Sequence, residues 1–146
     1  MSEMAEASPA ACGEQLAGGA ARYVVQHHVL SIDDEHWDLM LERGGTLWTW
    51  SLPAPPDRPD ALPACAVRLA DHRAAYLDYE GPVSGDRGRV EIHDRGTLRW
   101  VGQPPVASDL AETLTVELEG EHLRGRYELT LTPREGKDLW RLRRLG

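Results

Sequence analysis

A chain of 146 residues, 41% hydrophobic and 27% charged, has room for one core and the texture of an ordinary globular domain. Its formal charge of −8 opposes a broad, non-specific grip on nucleic acid while leaving room for a small basic patch. No apolar run approaches the ~18 residues that span a bilayer, and the opening residues lack the basic start and apolar middle of a secretory leader, so no membrane partner is expected and the cytoplasm is the expected compartment.

Residues 1–20, rich in Ala, Gly and Glu, read as a disordered N-terminal tail, and residues 21–146 as one domain. Residues 23–30 are β-branched and aromatic enough for a strand, and 31–35 form a polar turn. The alternation over 36–42 predicts a second strand, Arg43-Gly44-Gly45 a turn, and 46–52 a third strand. Five of the ten prolines fall in 53–63, an irregular connection. Further short strands are expected at 64–69, 88–93, 97–101, 113–119, 125–132 and 139–145, with turns at 81–88, 94–96 and 119–121. Outside the tail, the only helical signal lies at 107–111. Many short strands at this spacing predict a mostly-β fold, a small antiparallel β-barrel with little helix. With Phe absent, five Trp and four Tyr supply the large rings. Cys12 and Cys65 read as free thiols, Cys65 as a small buried residue of its strand.

Residues two apart on a strand share a face, so His36 and Asp38 project together and Trp37 projects away. A hairpin that pairs His28 with His36 also pairs Gln26 with Asp38. Two imidazoles and one carboxylate then converge, with Gln26 beside them as a supporting donor. Such a mixed nitrogen and oxygen set suits a divalent transition metal such as manganese, iron or zinc with open coordination positions. Each histidine by itself is equally well read as structural. His72 and Tyr76 lie four apart and can share a face; such a pair can contact a phosphate or act in acid–base chemistry, or can be a loop histidine beside a half-buried tyrosine. His93 and His122 read as solvated loop residues. The arginines of the C-terminal end read as a phosphate footprint or as a charged strand edge. No phosphate-cradling glycine loop is present.

These residues carry a resemblance. The segments Gln26-His27-His28, His36-Trp37-Asp38-Leu39-Met40, Trp48-Thr49-Trp50-Ser51-Leu52-Pro53, Asp71-His72 with Tyr76, Asp94-Arg95-Gly96-Thr97 and Leu118-Glu119-Gly120-Glu121-His122-Leu123 resemble the 3′-phosphoesterase domain of bacterial DNA ligase D. The likeness covers nearly everything after the tail. It implies a manganese-dependent β-barrel enzyme that removes a 3′-terminal ribonucleotide or a 3′-phosphate from nucleic acid ends, in company with a DNA ligase or polymerase. It implies His28, His36 and Asp38 as metal ligands, Gln26 as their support, and His72 and Tyr76 as the pair that engages the scissile phosphate. The chain departs from the family where an arginine that holds the phosphate is replaced by Met40, and where Ala64 and Ala70 replace polar residues. Arg68, Arg73 and Arg87 are the candidates to supply the missing charge. Two readings follow: a phosphoesterase, or a non-catalytic metal- or phosphate-binding module that assists a separate enzyme.

Overall fold

The computed structural model describes residues 21–107, 110–132 and 138–146. The expected tail, Cys12, Arg134 and Lys137 lie outside these residues, as do two positions of the helical candidate at 107–111. Among the described residues nine strands run in chain order: β1 (Ala21–Ser31), β2 (Asp34–Arg43), β3 (Thr46–Leu52), β4 (Ala64–Arg73), the two-residue β5 (Gly81–Pro82), β6 (Arg89–Trp100), β7 (Thr113–Gly120), β8 (Arg124–Leu131) and β9 (Leu139–Arg144). The sheet order is β1-β2-β3-β4-β9-β8-β7-β6-β5, and β1 pairs back onto β6. Eight antiparallel strands therefore close into a barrel, with β5 appended beside β6. Closure satisfies both edges of every barrel strand, as the right-handed twist of a sheet of this size allows.

The barrel is filled by rings and branched chains. Tyr23, Val25, Leu39, Leu41, Trp48, Trp50, Leu118, Leu129 and Trp140 are all buried in one cluster. Trp50 meets Trp140 edge to face at 5.4 Å, and Trp48 meets Trp100 at 5.3 Å. These pairs fill the volume that phenylalanines would otherwise occupy.

Three expectations are corrected. The turn at 94–96 does not form; β6 runs through it, with a bulge where Val25 faces Asp94 and Gln26 faces Ile92. Asp94, a turn former by propensity, is instead buried at 1% exposure. Its carboxylate accepts bonds from the Tyr23 hydroxyl at 2.6 Å and from the amides of Glu121, His122 and Leu123 at 3.0 Å each. That set of donors stabilises a buried charge. Cys65 is exposed, because Ala66 is the residue of that strand that points inward. The C-terminal arginines guard no edge, since β9 lies between β4 and β8. They are also spent locally: Arg143 binds Glu128, Arg126 binds Glu117, and Arg144 lies over the Tyr127 ring.

The helical turn that does form, Ala74–Leu77, follows β4 and crosses the outer face of the barrel. Leu77 packs there with Val24, Met40 and Leu47, with Tyr76 and Ile92 at the margin. Outward residues of β1, β2 and β3 are thus buried beneath a short cover. The candidate site lies along the border of that cover.

Candidate metal centre

The hairpin of β1 and β2 has the register expected from its turn: His28 faces His36, Gln26 faces Asp38 and Val24 faces Met40. The pairings continue across the sheet as rows on the outer face. One row is Gln26, Asp38, Ser51 and Val67; the next is Val24, Met40, Thr49 and Leu69; Leu47 and His72 share a third.

The ligand atoms of His28, His36 and Asp38 all lie within 4.8 Å of one another, so the three residues form a group that can hold a metal ion. His28 Nδ1 is 3.2 Å from His36 Nε2, which is 3.2 Å from Asp38 Oδ1; His28 Nδ1 is 3.9 Å from Asp38 Oδ2. The tautomer of His28 follows from its other nitrogen. Nε2 lies 2.7 Å from the Arg87 carbonyl, which can only accept, so Nε2 carries the proton and Nδ1 keeps its lone pair toward the group. A hydrogen bond of this kind orients a ligating imidazole. It depends on Gly88, whose φ is +80° and where a Cβ would stand 2.0 Å from the Val29 carbonyl oxygen. Only glycine lets the 83–88 loop close on β1 at that distance.

Two observations show that the donors fit a cation. Asp38 is 3% exposed, yet its Oδ1 receives no aligned hydrogen bond, the contact with His36 being skewed. Gln26, 1% exposed, donates Nε2 to the carbonyls of Tyr76 at 2.8 Å and Tyr79 at 3.0 Å, while its Oε1 is buried without a partner. Unsatisfied buried oxygens are costly and rare, and a cation with its water shell relieves them. The nearby Asp38 carboxylate, through its hydrogen-bonding attraction, holds the His36 imidazole above its ordinary value, with burial opposing.

His72 and Tyr76 come together as the sequence suggested, ring centroids 5.5 Å apart and edge to face. His72 Nδ1 donates to the Ala70 carbonyl at 3.0 Å, which leaves Nε2 facing outward for other partners. The register sets His72 beside Leu47, one row beyond Met40 and two beyond Asp38. Met40 is the residue between them, and at 1% exposure it is sealed in the apolar patch under Ala74–Leu77.

The three arginine candidates separate. Arg68 faces Trp50 across the strands and lies over its ring at 5.2 Å, on the opposite face from Asp38. Arg87 turns its guanidinium to the Ser84 carbonyl and hydroxyl of its own loop. Arg73 is exposed at the end of β4, and its guanidinium has no hydrogen-bond or ion-pair partner among the described residues. Sequence reasoning missed Tyr79 and Ser84, which line a cleft beside Tyr76; their positions follow from the crossing of Ala74–Leu77, for which propensity carried no signal. It also missed that His93 stacks on His122 at 5.5 Å and bonds Asp57 at 2.6 Å, which ties the proline-rich 53–63 connection to the barrel.

Fold and site together define a closed antiparallel barrel with a two-histidine, one-carboxylate group on its outer face. The family model of the DNA ligase D 3′-phosphoesterase domain matches residues 26–131, and the chain belongs to that family. The multifunctional non-homologous end joining protein LigD of Pseudomonas aeruginosa is 35% identical over 122 residues, covering 82% of this chain and 14% of that protein. The LigD of Mycobacterium bovis is 29% identical over 143 residues, 94% of this chain and 18% of the relative. That of Mycolicibacterium smegmatis is 31% identical over 124 residues, with coverage of 79% and 16%. The chain therefore spans less than a fifth of the length of each of these relatives.

Proposed function

We propose that the chain is a metal-dependent phosphoesterase that processes the 3′ ends of nucleic acid strands in DNA repair, removing a 3′-terminal ribonucleotide, a 3′-phosphate or both. The observation that carries this reading is the convergence of His28, His36 and Asp38 on one point, with a buried carboxylate oxygen left without a hydrogen bond. Membership of the phosphoesterase family supports it.

In this reading the three residues hold a divalent ion, with manganese proposed, and the bound ion supplies Lewis-acid polarisation of a phosphoryl oxygen. The chain's own groups do the rest. The Arg87 carbonyl keeps the His28 lone pair aimed inward. Gln26 clamps the backbone of Tyr76 and Tyr79 over the site. His72, with Nδ1 committed to Ala70, presents Nε2 to exchange a proton with the phosphate or its leaving oxygen, and Tyr76 offers its hydroxyl from the same side. The partners proposed are 3′ ends together with a DNA ligase or polymerase, whether on the same chain or another.

Met40 favours a second reading. A buried thioether cannot make the bidentate phosphate contact of an arginine, so a module that binds metal and nucleic acid ends without hydrolysis is the alternative. A primer–template ending in a ribonucleotide or a 3′-phosphate, incubated with the protein and manganese, separates the two. The enzyme reading expects a 3′-hydroxyl product, lost in His28→Ala and strongly reduced in His72→Ala. Metal binding without trimming under manganese, iron, zinc or magnesium would establish the alternative.

A further inference from the structure

Beside the metal group lies a cleft of 240 Å³ lined by Arg73, Ala75, Tyr76, Tyr79, Pro82 and Ser84. We infer that this cleft is a subsite for one unpaired nucleotide of the strand being processed, with Tyr79 and Tyr76 taking the base and Arg73 the phosphate. The inference deepens the reading of the chain as an enzyme of nucleic acid 3′ ends and rests on it.

Four observations carry the assignment. The cleft has the chemistry of a single-stranded nucleic acid site, which pairs aromatic faces with a cation. Tyr76 and Tyr79 stand edge to face at 5.6 Å, so one ring presents its face where the other presents its rim. Arg73 adds a guanidinium that no described residue engages, and Ser84 adds a hydroxyl.

Second, the aromatic wall is held in place. The Tyr79 hydroxyl donates to the Pro82 carbonyl at 2.5 Å, folding the ring back over its own turn. Gly81 makes that possible: its φ is +141°, and a Cβ there would meet the hydroxyl at 3.0 Å. An exposed ring fixed in this way loses little freedom when a base stacks on it.

Third, the cleft is joined to the metal group by hydrogen bonds rather than by loose chain. Gln26, in register with Asp38, donates to the backbone of both tyrosines. On the other rim, Arg87 binds Ser84 with its side chain and His28 with its carbonyl. A nucleotide in the cleft would thus sit one step along the strand from a phosphate at the metal.

Fourth, the size is restrictive. At 240 Å³ the cleft falls below the range of about 300–1,000 Å³ typical of whole small-molecule sites. That scale suits one base, with its sugar and phosphate at the open rim. The cation, Arg73, stands in the lining of the cleft and apart from the buried Met40.

The test uses the full chain and a short oligonucleotide carrying 2-aminopurine at the penultimate position and a 3′-phosphate. Binding is followed by fluorescence in an Asp38→Asn background, which is expected not to turn over, and trimming is followed in the otherwise wild-type chain. Stacking predicts 2-aminopurine quenching that is lost in Tyr79→Ala, with affinity falling by about five- to a hundred-fold. Arg73→Ala is expected to lower the slope of log K against log salt by about 0.7, the share of one single-strand phosphate. In trimming, both variants should raise KM more than they lower kcat. Unchanged quenching, salt slope and KM in variants that trim normally would overturn the subsite and leave the phosphoesterase standing. Quenching and salt response as expected, in a wild-type chain that never trims, would uphold the subsite and reject the enzyme.

Discussion

Asp38 is the residue on which the site turns. It is buried, it lies within reach of both histidines, and one of its oxygens has no hydrogen bond. Replacing it by Asn keeps the shape and removes the charge. Manganese affinity measured by calorimetry should then fall by more than about 100-fold, beyond what losing a supporting partner costs. Met40 makes the opposite point. Its neighbours Val24, Leu47 and Leu77 are buried and apolar, and the hydroxyl of Thr49 beside it already donates to the Leu47 carbonyl, so a guanidinium placed there would meet no carboxylate in the patch. Met40→Arg is expected to destabilise the fold by about 3–5 kcal/mol in urea unfolding, and Met40→Leu by under about 1.5 kcal/mol. A Met40→Arg variant of full stability would mean that the patch opens to the site more readily than the packing indicates. Met40 thus belongs to the packing beneath the Ala74–Leu77 cover.

At the level of elements, two carboxylates hold the barrel's connections. Asp94 gathers the Tyr23 hydroxyl and three successive amides of the β7–β8 turn. Its negative charge and the burial of the ring push the Tyr23 phenol well above the ordinary tyrosine range, burial being the larger cause. Asp94→Ala would strand those donors, at a cost of about 3–5 kcal/mol by denaturant titration. Asp57 ties the 53–63 connection to His93. Burial pulls its carboxyl up, but the hydrogen bond from His93 and the charges of His93 and His122 outweigh it and hold Asp57 below the usual carboxylate value. A depressed native value means that the stabilisation is fully present above the unfolded value of about 4 and is lost as pH falls through the folded value. The gap in Tm between the wild type and Asp57→Asn should accordingly be open near pH 5 and close as pH falls through the depressed folded value. A gap that widened in acid would contradict the assignment.

The elements also show where reading a chain succeeds. The β1–β2 hairpin was legible because strand parity and turn length together determine which side chains meet, and His28, Gln26, His36 and Asp38 needed nothing else. Composition misled at Cys65, where the continuous apolar run Ala64-Cys65-Ala66-Val67 does not say which phase faces inward. Propensity misled at Asp94, whose turn-forming habit is overridden by donors brought from β1 and the β7–β8 turn. The faces of Arg68 and His72 depend on the bulge between Leu47 and Thr49, which no residue in either strand announces. The cover at Ala74–Leu77 was invisible for a related reason: its stability comes from Val24, Met40 and Leu47 beneath it and not from its own four residues.

On the scale of the whole molecule, closure makes the barrel interior a scaffold and leaves the chemistry to the outer face. The interior is filled by Trp48, Trp50, Tyr23 and the branched chains around them. The candidate groups all lie on the outward rows beside the Ala74–Leu77 cover: the metal group, the His72–Tyr76 pair and the cleft of Arg73 and Tyr79. The net charge of −8 agrees with a protein that holds a strand end at a few defined points. The proposed function stands or falls on whether His28, His36 and Asp38 hold the metal on which 3′-end processing depends. The most direct measurement is a manganese titration in which bound ion, read by electron paramagnetic resonance, and trimming of a 3′-phosphate primer are recorded in the same samples. The account predicts that trimming rises in proportion to one bound ion and that both signals vanish together in Asp38→Asn. Trimming that persists in Asp38→Asn, or one tight manganese site that persists there, would contradict it.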